Sequence, residues 1–262
     1  MPASDALVES PAETYAREGF CLRPQVLPRE LIERVVPRMD AVIACEYETG
    51  VPPKSRLWKP GDDPRKIRKI DMPHLCDRTI HELISHPALG RAAAEITGAE
   101  TIQVWAVQML YKPPGGATAG GVGWHQDRQY WRYWEGEVFT AWIAVSDVTP
   151  EAGPIRFVPR SHEWGEVEGG DFFQGRLDEL RGKIALPNGA SWSEVEGVLP
   201  PGGVSFHHRY TFHGSGPNVS AGPRRSFAVH LRTEKSRPVA GAKDYFISNL
   251  DDPTANPVIY RA

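Results

Sequence analysis

Histidine and aspartate stand two residues apart in the segment Trp124-His125-Gln126-Asp127. If this segment is a strand, both side chains project from one face, with their Cα atoms about 7 Å apart. An imidazole and a carboxylate so placed can bind one metal ion, and they supply two of the three ligands of the 2-His-1-carboxylate triad that leaves positions open on Fe(II). The pair is a weak signal by itself, because such pairs arise by chance in a chain with nine histidines.

A third ligand would have to come from a distant strand, and His213 at the start of the segment HGSGPN (213–218) can supply it. The segment Pro-Arg-Arg then places a guanidinium 11 residues further on, at the head of a predicted strand over 226–231. A 2-oxo dicarboxylate that chelates iron leaves its far carboxylate in need of a counter-charge, which arginine meets with planar, bidentate hydrogen bonds. These residues therefore indicate iron chemistry with a 2-oxo dicarboxylate.

The surrounding sequence predicts many short strands preceded by helices. Runs rich in β-branched and aromatic residues, each bounded by glycine or proline, occur at 101–111, 138–145, 155–158, 203–206 and 226–231. Short strands separated by turns favour a sandwich or barrel. Helical spacing predicts one helix from Pro28, kinked or divided in two at Pro37, and another over about 79–96 with a break before Pro87 and a stop at Gly98.

Composition restricts the class of protein. Thirty Lys and Arg against 33 Asp and Glu leave a charge of −3, which gives no electrostatic case for a nucleic acid or membrane partner. Hydrophobic residues at 40% and charged residues at 24% are ordinary for a globular protein and exclude disorder as the main state. The three cysteines form no CxxC pair and the first residues lack the pattern of a secretory signal, so we expect a cytoplasmic protein.

Taken together, the HxD pair, the HGSGPN segment and the following Pro-Arg-Arg resemble the phytanoyl-CoA dioxygenase (PhyH) family of Fe(II)/2-oxoglutarate-dependent oxygenases. The WHxD block is similar to that of ectoine hydroxylases, and the segments LYKP (110–113) and VPRSH (158–162) are also similar to family segments. The resemblance implies a mainly β fold with a helical N-terminal part: a double-stranded β-helix (jelly roll, cupin-like) core buttressed by helices. We expect a single oxygenase domain over 1–262, with the helical buttress at about 1–98, the jelly-roll core at about 99–235 and a C-terminal extension at 236–262.

By this resemblance, His125, Asp127 and His213 are the catalytic metal ligands of a non-haem Fe(II)- and 2-oxoglutarate-dependent dioxygenase that takes O2 as cosubstrate. The enzyme would hydroxylate a small organic metabolite and release succinate and CO2. Asp127 favours hydroxylation over halogenation, since halogenating members carry a small residue in its place. The alternative is a non-oxidative cupin-like protein, either a metal-binding isomerase or a ligand-binding protein, for which a carboxylate clamp would have no use.

The resemblance also assigns residues to the cosubstrate. Arg224 would clamp the far carboxylate of 2-oxoglutarate, and Ser215 would donate a hydrogen bond to it. Gln108 would present a polar group towards the cosubstrate, and Trp142 would either flank it or pack in the core. Arg225 is the neighbour that could exchange roles with Arg224, but adjacent strand residues face opposite ways, so only one of them should reach the pocket.

Substrate contacts are expected from two segments. The loop 128–134 carries four aromatic residues and two arginines, and Arg128 and Trp131 are its candidates for substrate binding. The basic run 65–70 lies in an aperiodic region that family members place over the active site, which makes Arg68, or Lys69 beside it, a further candidate. These residues favour an anionic or zwitterionic small molecule, although a loop of this kind can simply cap a barrel and a basic run is usually a solvated face.

Overall fold

A computed structural model describes residues 9–116 and 120–262 of the chain. Its strands are β1 (Phe20–Arg23), β2 (Ser55–Arg56), β3 (Arg68–Asp71), β4 (Thr101–Lys112), β5 (Val122–His125), β6 (Trp134–Glu135), β7 (Val138–Ala144), β8 (Arg156–Phe157), β9 (Val195–Glu196), β10 (Val204–His208), β11 (His213–Ser215), β12 (Arg224–Thr233), β13 (Arg237–Pro238) and β14 (Val258–Arg261). Its α-helices are α1 (Pro11–Glu18), α2 (Arg29–Ile43), α3 (Arg78–Ile84), α4 (Pro87–Thr97), α5 (Leu177–Arg181) and α6 (Tyr245–Ser248). The protein is thus mainly β with helices, as the sequence predicts.

The strands form a large and a small antiparallel sheet, with β6 and β13 as a separate pair. The large sheet has the order β1-β10-β7-β12-β4-β3-β2, and β14 pairs with β4 as well. The small sheet has the order β5-β11-β8-β9. The segment before residue 98 therefore contributes the strands β1, β2 and β3 to the large sheet, and the C-terminal residues contribute β14.

Alternation along the long strands gives the large sheet two different faces. One face packs against helices α2, α3 and α4 in an apolar core that includes Val107, Val229 and Ile143. The opposite face turns towards the small sheet, where Trp142 packs with Phe157 of β8. Contacts between the sheets therefore bury this second face, on which polar residues are interspersed.

The helices predicted from the sequence, α2, α3 and α4, form as expected with one exception, and α1, α5 and α6 had no individual prediction. His86 caps α4 with Pro87 at its first position, and Gly98 ends it in the left-handed conformation at φ 64°, so the predicted break and stop are both confirmed. Pro37 does not divide α2, which continues from Arg29 to Ile43, so the expectation of two shorter helices is wrong. Pro37 and Glu33 lie on the exposed side of α2, where water can solvate the carbonyl that Pro37 leaves without a donor. No helix in the described ranges has the length and apolar character that crossing a membrane requires.

Candidate active site

The small sheet brings the three predicted metal ligands together. His125 ends β5, His213 begins β11, and the two residues are direct partners in the antiparallel register. Asp127 follows two residues after His125, and its Oδ1 lies 3.7 Å from Nε2 of His125 and 3.8 Å from Nε2 of His213. The donor atoms of all three lie within 4.8 Å of one another, and the side chains are buried. Two imidazoles and a carboxylate in this arrangement match the donor set of a facial triad.

Backbone carbonyls fix the direction of both imidazoles. Nδ1 of His125 lies 2.8 Å from the Gly123 carbonyl oxygen, and Nδ1 of His213 lies 3.0 Å from that of Thr211. A carbonyl only accepts, so each Nδ1 donates, and the Nε2 lone pairs are left to face Asp127. Burial lowers the pKa of His125 and, further, that of His213. Both rings are therefore neutral at neutral pH, as metal binding requires.

The second carboxylate oxygen of Asp127, Oδ2, is contacted by two side chains. The Thr140 hydroxyl donates to Oδ2 at 2.8 Å, and Nε2 of His207 lies 3.4 Å from the same oxygen. Burial alone would raise the pKa of Asp127, but the adjacent His213 and His207 hold it below its ordinary range. The carboxylate is thus ionised, with Oδ2 engaged by the protein and Oδ1 directed at the two histidines.

Two buried cations lie opposite each other where β4 and β12 pair. Lys112 and Arg224 are register partners, with relative exposures of 0% and 1%. Nζ of Lys112 donates to the Ser215 hydroxyl at 2.7 Å and to the backbone carbonyls of Ser215 and Gly216. Nη1 of Arg224 donates to the Gly153 carbonyl at 3.2 Å. Among the described residues neither cation forms a salt bridge, and Nε of Arg224 has no hydrogen-bond partner.

This pair of cations is electrostatically incomplete. Burial lowers the pKa of Arg224 to about 9, and burial together with Arg224 lowers that of Lys112 well below its ordinary value. A buried charge without a partner costs several kcal/mol, so two adjacent ones create a strong demand for an anion. Arg225, by contrast, faces outward and pairs with Asp40 at 2.9 Å. Only Arg224 therefore reaches the interior, as the alternation of strand residues requires.

Trp142 and Gln108 lie on the same inner face as the cations. The Trp142 ring lies 5.0 Å from Cζ of Arg224 and also packs in the apolar cluster between the sheets. Gln108 borders a cavity of about 230 Å³ beside Asp127. Ser215, the residue expected to face a carboxylate, already accepts from Lys112.

The cavity separates the substrate candidates into two groups. Trp131 lines it, with its ring edge-on to His230 at a centroid distance of 4.6 Å. Arg128 does not line it, because its Nη1 donates to the Trp131 carbonyl at 3.2 Å and its Nε lies 3.8 Å from Glu166.

Arg68 also lies away from the cavity, between the rings of Trp58 and Tyr111 at 4.3 and 4.4 Å. Side chains alternate along β3, so its neighbour Lys69 borders the cavity instead. Arg68 and Arg128 are therefore not among the residues that line this cavity, and their contact with a substrate stays a prediction.

Four polar residues at the site were not assigned a role from the sequence: Lys112, Thr140, His207 and His230. The signal that would have found two of them is the period of two along a strand. Lys112 stands four residues after Gln108 on β4, and His230 stands six after Arg224 on β12, so each shares the inner face with a predicted site residue. Nothing comparable marks Thr140 and His207, whose roles depend on which strands become neighbours.

With this geometry in place, comparison with known proteins defines the class. The model of the phytanoyl-CoA dioxygenase (PhyH) family matches residues 15–226, and the chain belongs to that family. It is therefore an oxidoreductase of the dioxygenase class, and the prediction of an iron- and 2-oxoglutarate-dependent oxygenase is confirmed at this level. The non-oxidative cupin-like alternative is not favoured.

The individual relatives share only about a quarter of the aligned residues with this chain. A probable alpha-ketoglutarate-dependent hypophosphite dioxygenase of Stutzerimonas stutzeri is 27% identical over 71% of this chain, and the match spans 64% of that protein. The ectoine dioxygenase of Halomonas elongata is 26% identical over 97% of this chain and 80% of its own length.

Among solved structures, the non-heme alpha ketoglutarate dependent carbocyclase SnoK from nogalamycin biosynthesis superposes with a TM-score of 0.70. It is 22% identical, and the match covers 94% of this chain and 91% of SnoK. The epimerase SnoN, solved in complex with Fe3+, alpha ketoglutarate and nogalamycin RO, gives a TM-score of 0.68 at 20% identity, covering 89% and 90% of the two chains. At such identities these likenesses establish a shared fold.

Proposed function

We propose that His125, Asp127 and His213 hold Fe(II) in an enzyme that hydroxylates a small organic metabolite at the expense of 2-oxoglutarate and O2. One observation carries the proposal: a two-histidine, one-carboxylate donor set lies in the same interior as two buried cations that lack an acidic partner. The neutral imidazoles, with their Nδ1 atoms fixed by carbonyls, suit a divalent metal. Iron bound there supplies O2 activation coupled to decarboxylation of 2-oxoglutarate to succinate and CO2.

The buried cations are the residues we assign to 2-oxoglutarate. Its far carboxylate would accept from Arg224, whose Nε has no partner, and from Lys112, which would turn part of its hydrogen bonding away from Ser215. The Ser215 hydroxyl is then free to donate to the same carboxylate. Trp142 would close the side of this pocket, and Gln108 would contact the cosubstrate near Asp127. The carboxylate ligand Asp127, rather than a small residue, supports oxygen insertion over halogenation.

The substrate would occupy the cavity bordered by Trp131 and His230. A volume of about 230 Å³ suits a small metabolite, since sites for drug-sized ligands measure roughly 300–1,000 Å³. The small-molecule relatives, named for hypophosphite and ectoine, support a substrate of this size. A net charge of −3 gives no reason to add a nucleic acid partner.

We also propose that the two antiparallel sheets form a double-stranded β-helix and that residues 1–262 make a single oxygenase domain. Pairing of β1 with β10 and of β14 with β4 supports this, because both ends of the chain join the large sheet. The predicted boundaries near residues 98 and 235 then separate sequence regions within one sheet.

The function is tested by aerobic incubation with Fe(II) and 2-oxoglutarate, measuring succinate formed and O2 consumed. Wild-type protein should form succinate only with iron, whereas His213→Ala and Asp127→Ala should abolish it. His208→Ala is the matched control, because its ring packs at 5.7 Å against His162, outside the metal-ligand cluster, and its activity should persist. Iron-independent succinate, or full activity in both ligand variants, would remove the assignment.

A further inference from the structure

His230 borders the cavity beside Asp127, and the structure fixes which of its ring nitrogens carries the proton, with Nε2 buried in the protein. Oγ1 of Thr140 lies 2.8 Å from Oδ2 of Asp127 and 3.0 Å from Nδ1 of His230. The hydroxyl has one proton, and an ionised carboxylate can only accept it. Nδ1 of His230 must therefore donate to Thr140, which leaves Nε2 of His230 as an acceptor. His230 is 4% exposed, borders the cavity, and its Nε2 has no partner among the described residues.

A carboxylate borders the same cavity. Asp244 begins helix α6 and accepts from the backbone N–H of Phe246 at 2.9 Å. No basic side chain of residues 9–116 or 120–262 lies within salt-bridge distance of its carboxylate. Lys69, the basic residue that borders the cavity, is 2.5 Å from Asp71 and is neutralised there. Apart from the metal-ligand aspartate, the uncompensated charge at the cavity is therefore negative.

Aromatic side chains form other parts of the cavity wall. Tyr130, Trp131, Tyr133, Phe172 and Phe246 all border the cavity. The face of an aromatic ring carries negative potential and attracts ammonium groups by about 0.5–2 kcal/mol per contact. The Asp244 carboxylate and the aromatic residues thus both favour a partner that brings positive charge.

We propose that this cavity recognises a compact substrate carrying an ammonium group, with Asp244 and the aromatic walls binding the cation. The inference rests on the function proposed above and names the substrate class for that site. It departs from the expectation of an anionic substrate, because the arginines behind that expectation do not line the cavity: Arg128 and Arg132 both face Glu166. A zwitterion remains compatible if its ammonium end enters the cavity.

The test uses three probes of similar ring size on the protein loaded with Zn(II) and 2-oxoglutarate, in which no oxidation occurs. Piperidine is protonated at neutral pH, tetrahydropyran is its neutral counterpart, and cyclohexanecarboxylate is an anion. Dissociation constants come from ligand-observed NMR. We expect piperidinium to bind about ten-fold more tightly than either of the others. Equal or tighter binding of the ether or the carboxylate, or no binding of any probe, would overturn the proposal.

Two variants locate the preference. Asp244→Asn keeps the N-cap, since asparagine caps as well as aspartate, but removes the charge, and it should reduce the preference for piperidinium to within about two-fold. Asp251→Asn, an exposed change nearby in the chain, should retain the full preference. An unchanged preference in Asp244→Asn would contradict the assignment. The same spectra report zinc-dependent binding of 2-oxoglutarate, so its loss would point to failure of the proposed function instead.

Discussion

The interior of this protein holds two polar regions of opposite character. At one end, Lys112 and Arg224 are buried without an acidic partner. At the other, the carboxylates of Asp127 and Asp244 border a small cavity. The cationic end demands a dianion, whereas the acceptor end is suited to a metal ion and a donor-rich molecule.

This difference shows how one face of a sheet can sort ligands by charge. Arg224 and His230 stand on the same strand, six residues apart, and both side chains face inward. Thr140 and Trp142, two residues apart on neighbouring β7, divide in the same way: Thr140 contacts Asp127, and the Trp142 ring lies over Arg224. A molecule with a carboxylate at one end and a metal-chelating group at the other would connect the two regions.

The largest effect is expected from removing Arg224, one of the two buried cations. Arg224→Ala should raise the dissociation constant of 2-oxoglutarate on the zinc-loaded protein by about 10²–10³-fold, because a buried carboxylate loses its ionic partner at roughly 3–4 kcal/mol. Isothermal titration calorimetry measures this. The matched control Arg225→Ala removes a pair with the exposed Asp40 and a contact with the Tyr111 ring, both away from Arg224 and Lys112, and should change affinity by less than about two-fold. Reversed results for the two arginines would place the clamp at Arg225.

A smaller effect is expected from changing Thr140, the residue that contacts the metal ligand Asp127. Thr140→Val removes the hydroxyl that donates to Asp127 and should weaken Zn(II) binding by about 10–100-fold, the usual cost of losing a partner of a metal ligand. Thr140→Ser keeps the hydroxyl and should bind zinc nearly as wild type. Equal affinities for the valine and serine variants, measured by competition with a chelating dye, would show that this hydrogen bond does not orient Asp127.

The smallest effect is expected from replacing Lys112, with a second lysine, Lys69, as the comparison. Lys112→Met should weaken 2-oxoglutarate binding by about ten-fold, less than Arg224→Ala, because Lys112 contributes a single charge without bidentate geometry. Lys69→Met is the control, since Lys69 is already neutralised by Asp71, and it should leave the affinity unchanged. If Lys69→Met has the larger effect in calorimetry, the cationic end extends to β3.

Local signals in the sequence predict much of this fold. The runs at 101–111, 138–145 and 226–231 correspond to β4, β7 and β12, because apolar, β-branched and aromatic residues between glycines and prolines favour strands whatever their partners. The aperiodic stretch 50–75 contains β3, whose sequence Arg-Lys-Ile-Asp has no strand pattern of its own, although Lys69 faces the cavity and Ile70 the core. Pairing between distant strands, rather than local propensity, determines that element.

The same division holds for the site. His125 and Asp127 are recognisable by spacing, and His213 and Arg224 by the motif that contains them. Thr140 belongs to no motif, and Lys112 lies in the family-like segment LYKP but received no role from that resemblance. Lys112 becomes part of the site because β4 pairs with β12 in a register that sets it opposite Arg224. Thr140 joins it because the turn after β5 brings Asp127 against β7. The period of two places Lys112 on the inner face of β4, but the residue it meets there follows from the pairing of distant strands.

We expect one molecule of 2-oxoglutarate to connect the metal ligands with the buried cations. Anaerobic titration of the metal-free protein with Fe(II) and 2-oxoglutarate tests it through the weak visible charge-transfer band of a chelated 2-oxo acid. We predict the band in wild-type protein, its loss in Asp127→Ala, and its appearance in Arg224→Ala only at much higher 2-oxoglutarate concentration. Iron binding without the band in the wild-type protein would show that 2-oxoglutarate does not chelate the bound iron.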